Sequence, residues 1–161
     1  MMFLGIDPGN TTGWVRVRVV GREAVLGSWG TFDGIPGLAQ ECESLGMGIE
    51  CVVIEEYRVY PHKAEMHIGS TVFPAQIIGA VKLLATFWSV MVIEQGAGIA
   101  KSRWPLARIK KLFPEVKFKS SARTLMSDEI GRHATDALRH VLNYLERKDL
   151  IDIPLVEEDI V

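Results

Sequence analysis

Four residues scattered along the chain have side chains suited to holding a divalent cation or moving a proton: Asp7 in "FLGIDPGNTTGW", Glu55 in "VVIEEY", and His133 and Asp136 in "HATDAL". Each also has an ordinary explanation. Asp7 opens an Asp-Pro-Gly turn, where aspartate is common, and Glu55 or its neighbour Glu56 could simply be leaving the core for solvent. Asp136 is harder to explain away, because aspartate is a poor helix former that prefers caps, and it falls inside a helical pattern. At about 100° per residue, Glu129, His133, Asp136 and His140 occupy a stripe of roughly 60°, beside an apolar face of Ile130, Ala134, Ala137, Leu138 and Val141. His133 and Asp136 are therefore expected along the edge where that helix meets its sheet.

Three carboxylates and an imidazole gathered in a partly dry cleft would repel one another unless a cation lies among them. Oxygen ligands with open positions suit Mg²⁺, with Mn²⁺ as a substitute. Two such ions about 4 Å apart could clamp the attacking and leaving oxygens of a phosphodiester. In that scheme Asp7 bridges the ions, Glu55 and Asp136 each hold one, and His133 binds the water-activating ion or handles its proton. A second reading of "DPGNTTG" is a turn that cradles a nucleotide phosphate.

The elements that must position these residues follow from periodicity. "MFLGI" reads as a buried strand, since its apolar residues run without alternation. "WVRVRVV" alternates, so one face is wet, and "AVLGSWGTF" returns as a hairpin partner. "PGLAQECESLGMGI" fits a helix from Pro36 to about Gly46 or Gly48, and "CVVIEEY" a central strand. A long apolar helix through "AQIIGAVKLLATF" leads to the strand "VMVIEQ", a basic helix "RWPLARIKKLF" and a final helix in "SDEIGRHATDALRHVLNYLERK". This order describes an α/β chain with a mixed sheet, its later strands parallel and helices packed on it. Ligands in such sheets gather at the carboxyl ends of strands, where Asp7 and Glu55 sit.

At 161 residues the chain is expected to form one folding unit, residues 1–148, followed by an acidic tail, residues 149–161, whose acids have no evident basic partner. The net charge of −2 conceals an asymmetry: from Lys101 to Arg123 there are eight basic residues against Glu115 alone. Such a segment is the footprint of a protein that touches phosphate backbones, or else a solvated helix face. Cys42 and Cys51 lack metal-binding spacing and are expected to be reduced thiols, which points to a cytoplasmic setting. No signal peptide is expected, and the apolar run from Phe73 to Trp88 is interrupted by Gln76, Gly79 and Lys82, so no membrane span is expected.

"GIDPGNTTGW", "VVIEEY" and "HATDAL" together resemble the RuvC family of Holliday junction resolvases, within the RNase H-like superfamily, in order and spacing across nearly the whole chain. The resemblance implies an RNase H-like mixed five-stranded sheet with helices on both faces. It also implies Asp7, Glu55, His133 and Asp136 as metal-site positions, and Mg²⁺-dependent nicking of branched DNA by a homodimer. Glu56 remains an alternative to Glu55, which is chosen because it follows "VVI" in the family's register. The apolar helix after Glu55 corresponds to the family's dimer region, or is buried within one subunit. Residues expected on DNA are Arg58, Tyr60, Lys101, Arg103, Lys110, Lys111, Lys117 and Lys119. Arg58 stands where the family often has a base-stacking aromatic, with Tyr57 and Tyr60 nearby. The resemblance makes a phage or bacterial origin plausible. Rival readings are a sibling nuclease acting on flaps or RNA–DNA hybrids, and a junction-binding domain without turnover. A third rival, an actin-like or sugar-kinase-like ATPase, closes two lobes around its nucleotide, whereas 161 residues suffice for one.

Overall fold

Strand β1 (Met2–Asp7) lies at the centre of a five-stranded sheet because its apolar run leaves no face for water: Phe3, Leu4 and Ile6 are all buried. The structure is a computed structural model and describes residues 1–58, 72–121 and 129–153. Strands β2 (Thr11–Val20) and β3 (Glu23–Asp33) fold back as an antiparallel hairpin on one side of β1, turning at Gly21 with φ +61°. Strands β4 (Cys51–Glu56) and β5 (Met91–Gly96) add in parallel on the other side, giving the order β3-β2-β1-β4-β5. The sheet is mixed and five-stranded, as the sequence implied.

Helices cover both faces. On one side α1 (Gly34–Gly46) and α2 (Phe73–Trp88) close over Leu4, Ile6, Val52 and Ile54. On the other, α5 (Arg132–Arg147) packs with α3 (Ala97–Arg103) and α4 (Leu106–Leu112) over Phe3, Val15, Val17 and Val53. Strand alternation divides the two cores: odd-numbered residues of β1 and β4 face α5, and even-numbered ones face α1 and α2.

Two expected helices differ from the structure. The basic segment forms two short helices, because Trp104 precedes Pro105 and is held out of the helical region, with φ −119° and ψ 69°. Trp104 is fully buried there, and its indole N–H donates to Glu146 at 3.0 Å. The last helix starts at Arg132, not among the residues before it. Glu129–Ile130 (β7) instead pairs in parallel with Lys117–Phe118 (β6), which removes Glu129 from the helical stripe and pairs it with Lys119 at 2.8 Å. The two-stranded pairing wins because it buries Ile130 completely.

After α5 the chain continues against the hairpin. Ile151 is buried, and Arg22 binds Asp149 at 2.7 Å and Asp152 at 2.5 Å. Those two acids thus have a basic partner, contrary to the expectation that the tail faces none; it comes from the β2–β3 turn, 127 or more positions away in sequence. Residues from 154 onward lie outside the described residues. Among the described residues no helix is long and apolar enough to cross a membrane.

Candidate active site

Strand alternation settles which glutamate can join Asp7. Asp7 follows Phe3 and Gly5 on the α5 side of β1, and Glu55 follows Cys51 and Val53 on the same side of β4. Glu56 has the opposite parity and pairs with Arg58 at 2.8 Å. Helix α5 is brought down onto this corner by two glycines that leave room for its backbone. A Cβ on Gly5 would come within 2.6 Å of the Ala137 carbonyl oxygen, and one on Gly13 within 2.1 Å of the His133 carbonyl carbon. The β1–β2 turn itself is closed by Thr12, whose buried hydroxyl donates to the Gly9 carbonyl and accepts from the Gly9 amide. Thr11 donates to Asp33. The Thr12 hydroxyl is thus spent on the turn and the Thr11 hydroxyl on Asp33, and the described residues form one lobe around the five-stranded sheet, so nothing there favours the phosphate-cradle reading.

With α5 seated, the acids collect around its inward edge. His133 Nδ1 lies 2.8 Å from Asp7 Oδ2, and His140 Nε2 lies 3.0 Å from Glu55 Oε2. Asp136 is held by Arg139 one turn on and by Lys101 of α3 at 3.2 Å. Burial raises the Asp7 pKa above its ordinary value, the hydrogen bond from His133 offsets part of this, and the negative charges of Glu55 and Asp136 raise it again. Asp7 therefore lies within electrostatic reach of both other carboxylates.

The donor types fit a hard oxygen-seeking cation such as Mg²⁺. The arrangement is nevertheless not a ready-made cage: among the described residues no three His, Cys, Asp or Glu side chains converge as a coordination group. Each carboxylate has its own basic partner. The acids therefore coexist without a metal among them: Lys101 and Arg139 neutralise Asp136, and Asp7 and Glu55 each share a hydrogen bond with an imidazole. Coordination would require the carboxylates to exchange these partners.

Periodicity puts His140 in the stripe of His133 and Asp136, and the structure adds it to the cluster through Glu55. It is wholly buried, and its Nδ1 has no partner, so among the described residues its ring hydrogen-bonds through Nε2 to Glu55 alone. One turn further on, Asn143 donates to Gln95 of β5 at 2.7 Å, which pins the same helix edge to the sheet. A histidine on the boundary of an amphipathic helix, a full turn from two other polar residues, was the available signal.

A cleft of about 470 Å³ adjoins Glu55 and is lined also by Glu56, Tyr57, Arg58, Gly96 and Ser102 among others. Arg58 is exposed at its rim. Of the other basic positions, Lys101 turns inward to Asp136, Arg103 pairs with Glu146 at 2.7 Å and Lys119 with Glu129. Lys110 and Lys111 are exposed on α4, and Lys117 is exposed on β6. Tyr60 lies outside the described residues.

A mixed five-stranded sheet of order β3-β2-β1-β4-β5 with helices on both faces defines an α/β class. Within that class the chain has the fold of RuvC. It superposes with a TM-score of 0.64 on Thermus thermophilus RuvC in complex with a Holliday junction substrate, at 21% identity, covering 96% of this chain and 100% of the other. A second Thermus thermophilus RuvC structure gives 0.63 at 20% identity with the same coverage. The fowlpox virus Holliday junction resolvase gives 0.53 at 12% identity, covering 92% of this chain and 99% of that one. No protein-family model and no curated protein matches the chain.

Proposed function

We propose that this chain is a structure-selective endonuclease that resolves four-way DNA junctions by metal-dependent phosphodiester hydrolysis. What supports the reading is that Asp7 bonds His133 of α5 and feels the charges of Glu55 and Asp136, in a fold that matches RuvC across 96% of this chain, one example of which is bound to a Holliday junction. Asp7, Glu55 and Asp136 would hold Mg²⁺ or Mn²⁺, two ions per site, with His133 beside them. The metal would supply an activated water and charge stabilisation at the reacting phosphorus.

The protein's own residues supply the rest. His140 fixes the Glu55 carboxylate from the buried side. His133, with Nδ1 engaged by Asp7, leaves Nε2 to accept a proton from the attacking water. The cleft beside Glu55 admits the strand to be cut, with Arg58 at its rim. Lys110, Lys111 and Lys117 grip backbone phosphates, and Tyr60 contacts DNA. Lys101 and Arg103 join that surface when they exchange their acidic partners for phosphate.

The test is a cleavage panel of four-way junction, flap, RNA–DNA hybrid and plain duplex with Mg²⁺ or Mn²⁺. Paired nicks across the junction are expected, and Asp7→Asn should bind the junction and leave it uncut. Preference for flap or hybrid would assign the same site to a sibling nuclease. Junction binding without metal-dependent cutting would make the chain a scaffold.

A further inference from the structure

A second cavity, of about 430 Å³, lies beside the carboxylate cluster and takes no part in it. Its lining is apolar at Leu106 and Phe118 and polar or basic at Lys119, Ser120, Arg132, Thr135 and Arg139. The helix explains why the two sites are neighbours. His133, Asp136 and His140 recur at intervals of three and four residues, and Arg132, Thr135 and Arg139 repeat the same spacing one residue earlier. On α5 the basic stripe is therefore turned by about 100° from the acidic one.

Arg139 joins the two. Its Nη1 binds the Asp136 carboxylate while its Nε donates to the Trp104 carbonyl at 3.1 Å, so the guanidinium is locked between the cluster and the cavity wall. Lys119 is balanced by Glu129. The Arg132 guanidinium is exposed and makes no ion pair among the described residues. A planar, permanently charged fork of donors beside a serine hydroxyl suits a phosphodiester oxygen pair better than a point charge would.

We propose that this cavity is a backbone phosphate subsite for the DNA strand, next to the one being cut, with Arg132 as its main donor and Arg139 as the link that couples its occupancy to Asp136. The inference rests on the nuclease reading for its ligand, but its test reads binding and not cutting.

The test uses the full chain carrying Asp7→Asn, so that no substrate is consumed, and follows junction affinity by fluorescence anisotropy across a salt series. Adding Arg132→Gln should weaken binding about tenfold and flatten the slope of log K against log[salt] by about 0.9, the loss of one phosphate contact. Lys148→Gln, at the far end of α5, should change neither. Junctions carrying a single neutral methylphosphonate at successive positions then locate the contact. One position near the cleaved bond should weaken binding of the Asp7→Asn protein, and cost the Arg132→Gln protein nothing further.

An unchanged salt slope, or equal methylphosphonate losses in both proteins, would overturn the subsite. Normal junction binding with these signatures but no metal-dependent cleavage by the unsubstituted chain would instead uphold the subsite and sink the nuclease reading.

Discussion

Asp7 concentrates the electrostatic conflict of the site in one side chain. Burial and the charges of Glu55 and Asp136 lift its pKa, against the opposing hydrogen bond from His133. A carboxyl with a raised pKa in the folded state stabilises the fold at low pH, and that contribution is lost as pH rises through the folded value. In chelator, Asp7→Asn is therefore expected to match the parent near pH 4 and to unfold at a higher temperature by neutral pH. A gain of about 1 kcal/mol would appear as about 2–4 °C in Tm. Thermal unfolding from pH 4 to 7.5 checks this. A variant less stable than the parent across the whole range would show that the bond to His133 outweighs burial and repulsion.

Helix α5 is the element on which the site depends, and its seat on the sheet is set by what Gly5 and Gly13 lack. A Cβ at Gly13 would sit 2.1 Å from the His133 carbonyl carbon, with backbone on the other side of the contact, so nothing flexible can give way. Gly13→Ala is expected to cost about 2–4 kcal/mol in urea unfolding, and to lower cleavage further by lifting His133 and Asp136 off the strand ends. Gly79→Ala, which meets nothing within 4 Å on the exposed side of α2, should gain about 0.5–1 kcal/mol. Equal effects at the two glycines would mean that α5 is not held by close approach. The strands and α5 were legible because unbroken apolar runs and a sharp amphipathic stripe depend on neighbours in sequence. The choice of Glu55 over Glu56 rests in the sequence on the register after "VVI", and the parity of β4 against β1 puts Glu55 on the Asp7 side. His140's bond to Glu55 and Arg22's hold on Asp149 and Asp152 were not legible. They join residues 85 and more positions apart and exist only once the elements are packed.

For the whole molecule, the surface left uncovered says most about assembly. Leu83 and Phe87, one turn apart, fall on one stripe of α2, away from the buried side carrying Ile77, Val81 and Ala85. Leu83 is 60% and Phe87 76% exposed, and Met91 at the start of β5 is 58% exposed. A group of large apolar side chains facing water at one edge marks an interaction surface, and a second copy of the chain would bury it. A homodimer through α2 is therefore proposed, with Phe87→Glu its direct test. Sedimentation should show a dimer for the parent and a monomer for the variant, whose Tm should no longer depend on protein concentration. The variant should nick junctions singly, because paired incision needs both sites on one substrate. A parent that sediments as a monomer at assay concentration, yet still cuts in symmetric pairs, would remove α2 from the account and require the second site to be recruited by the DNA itself.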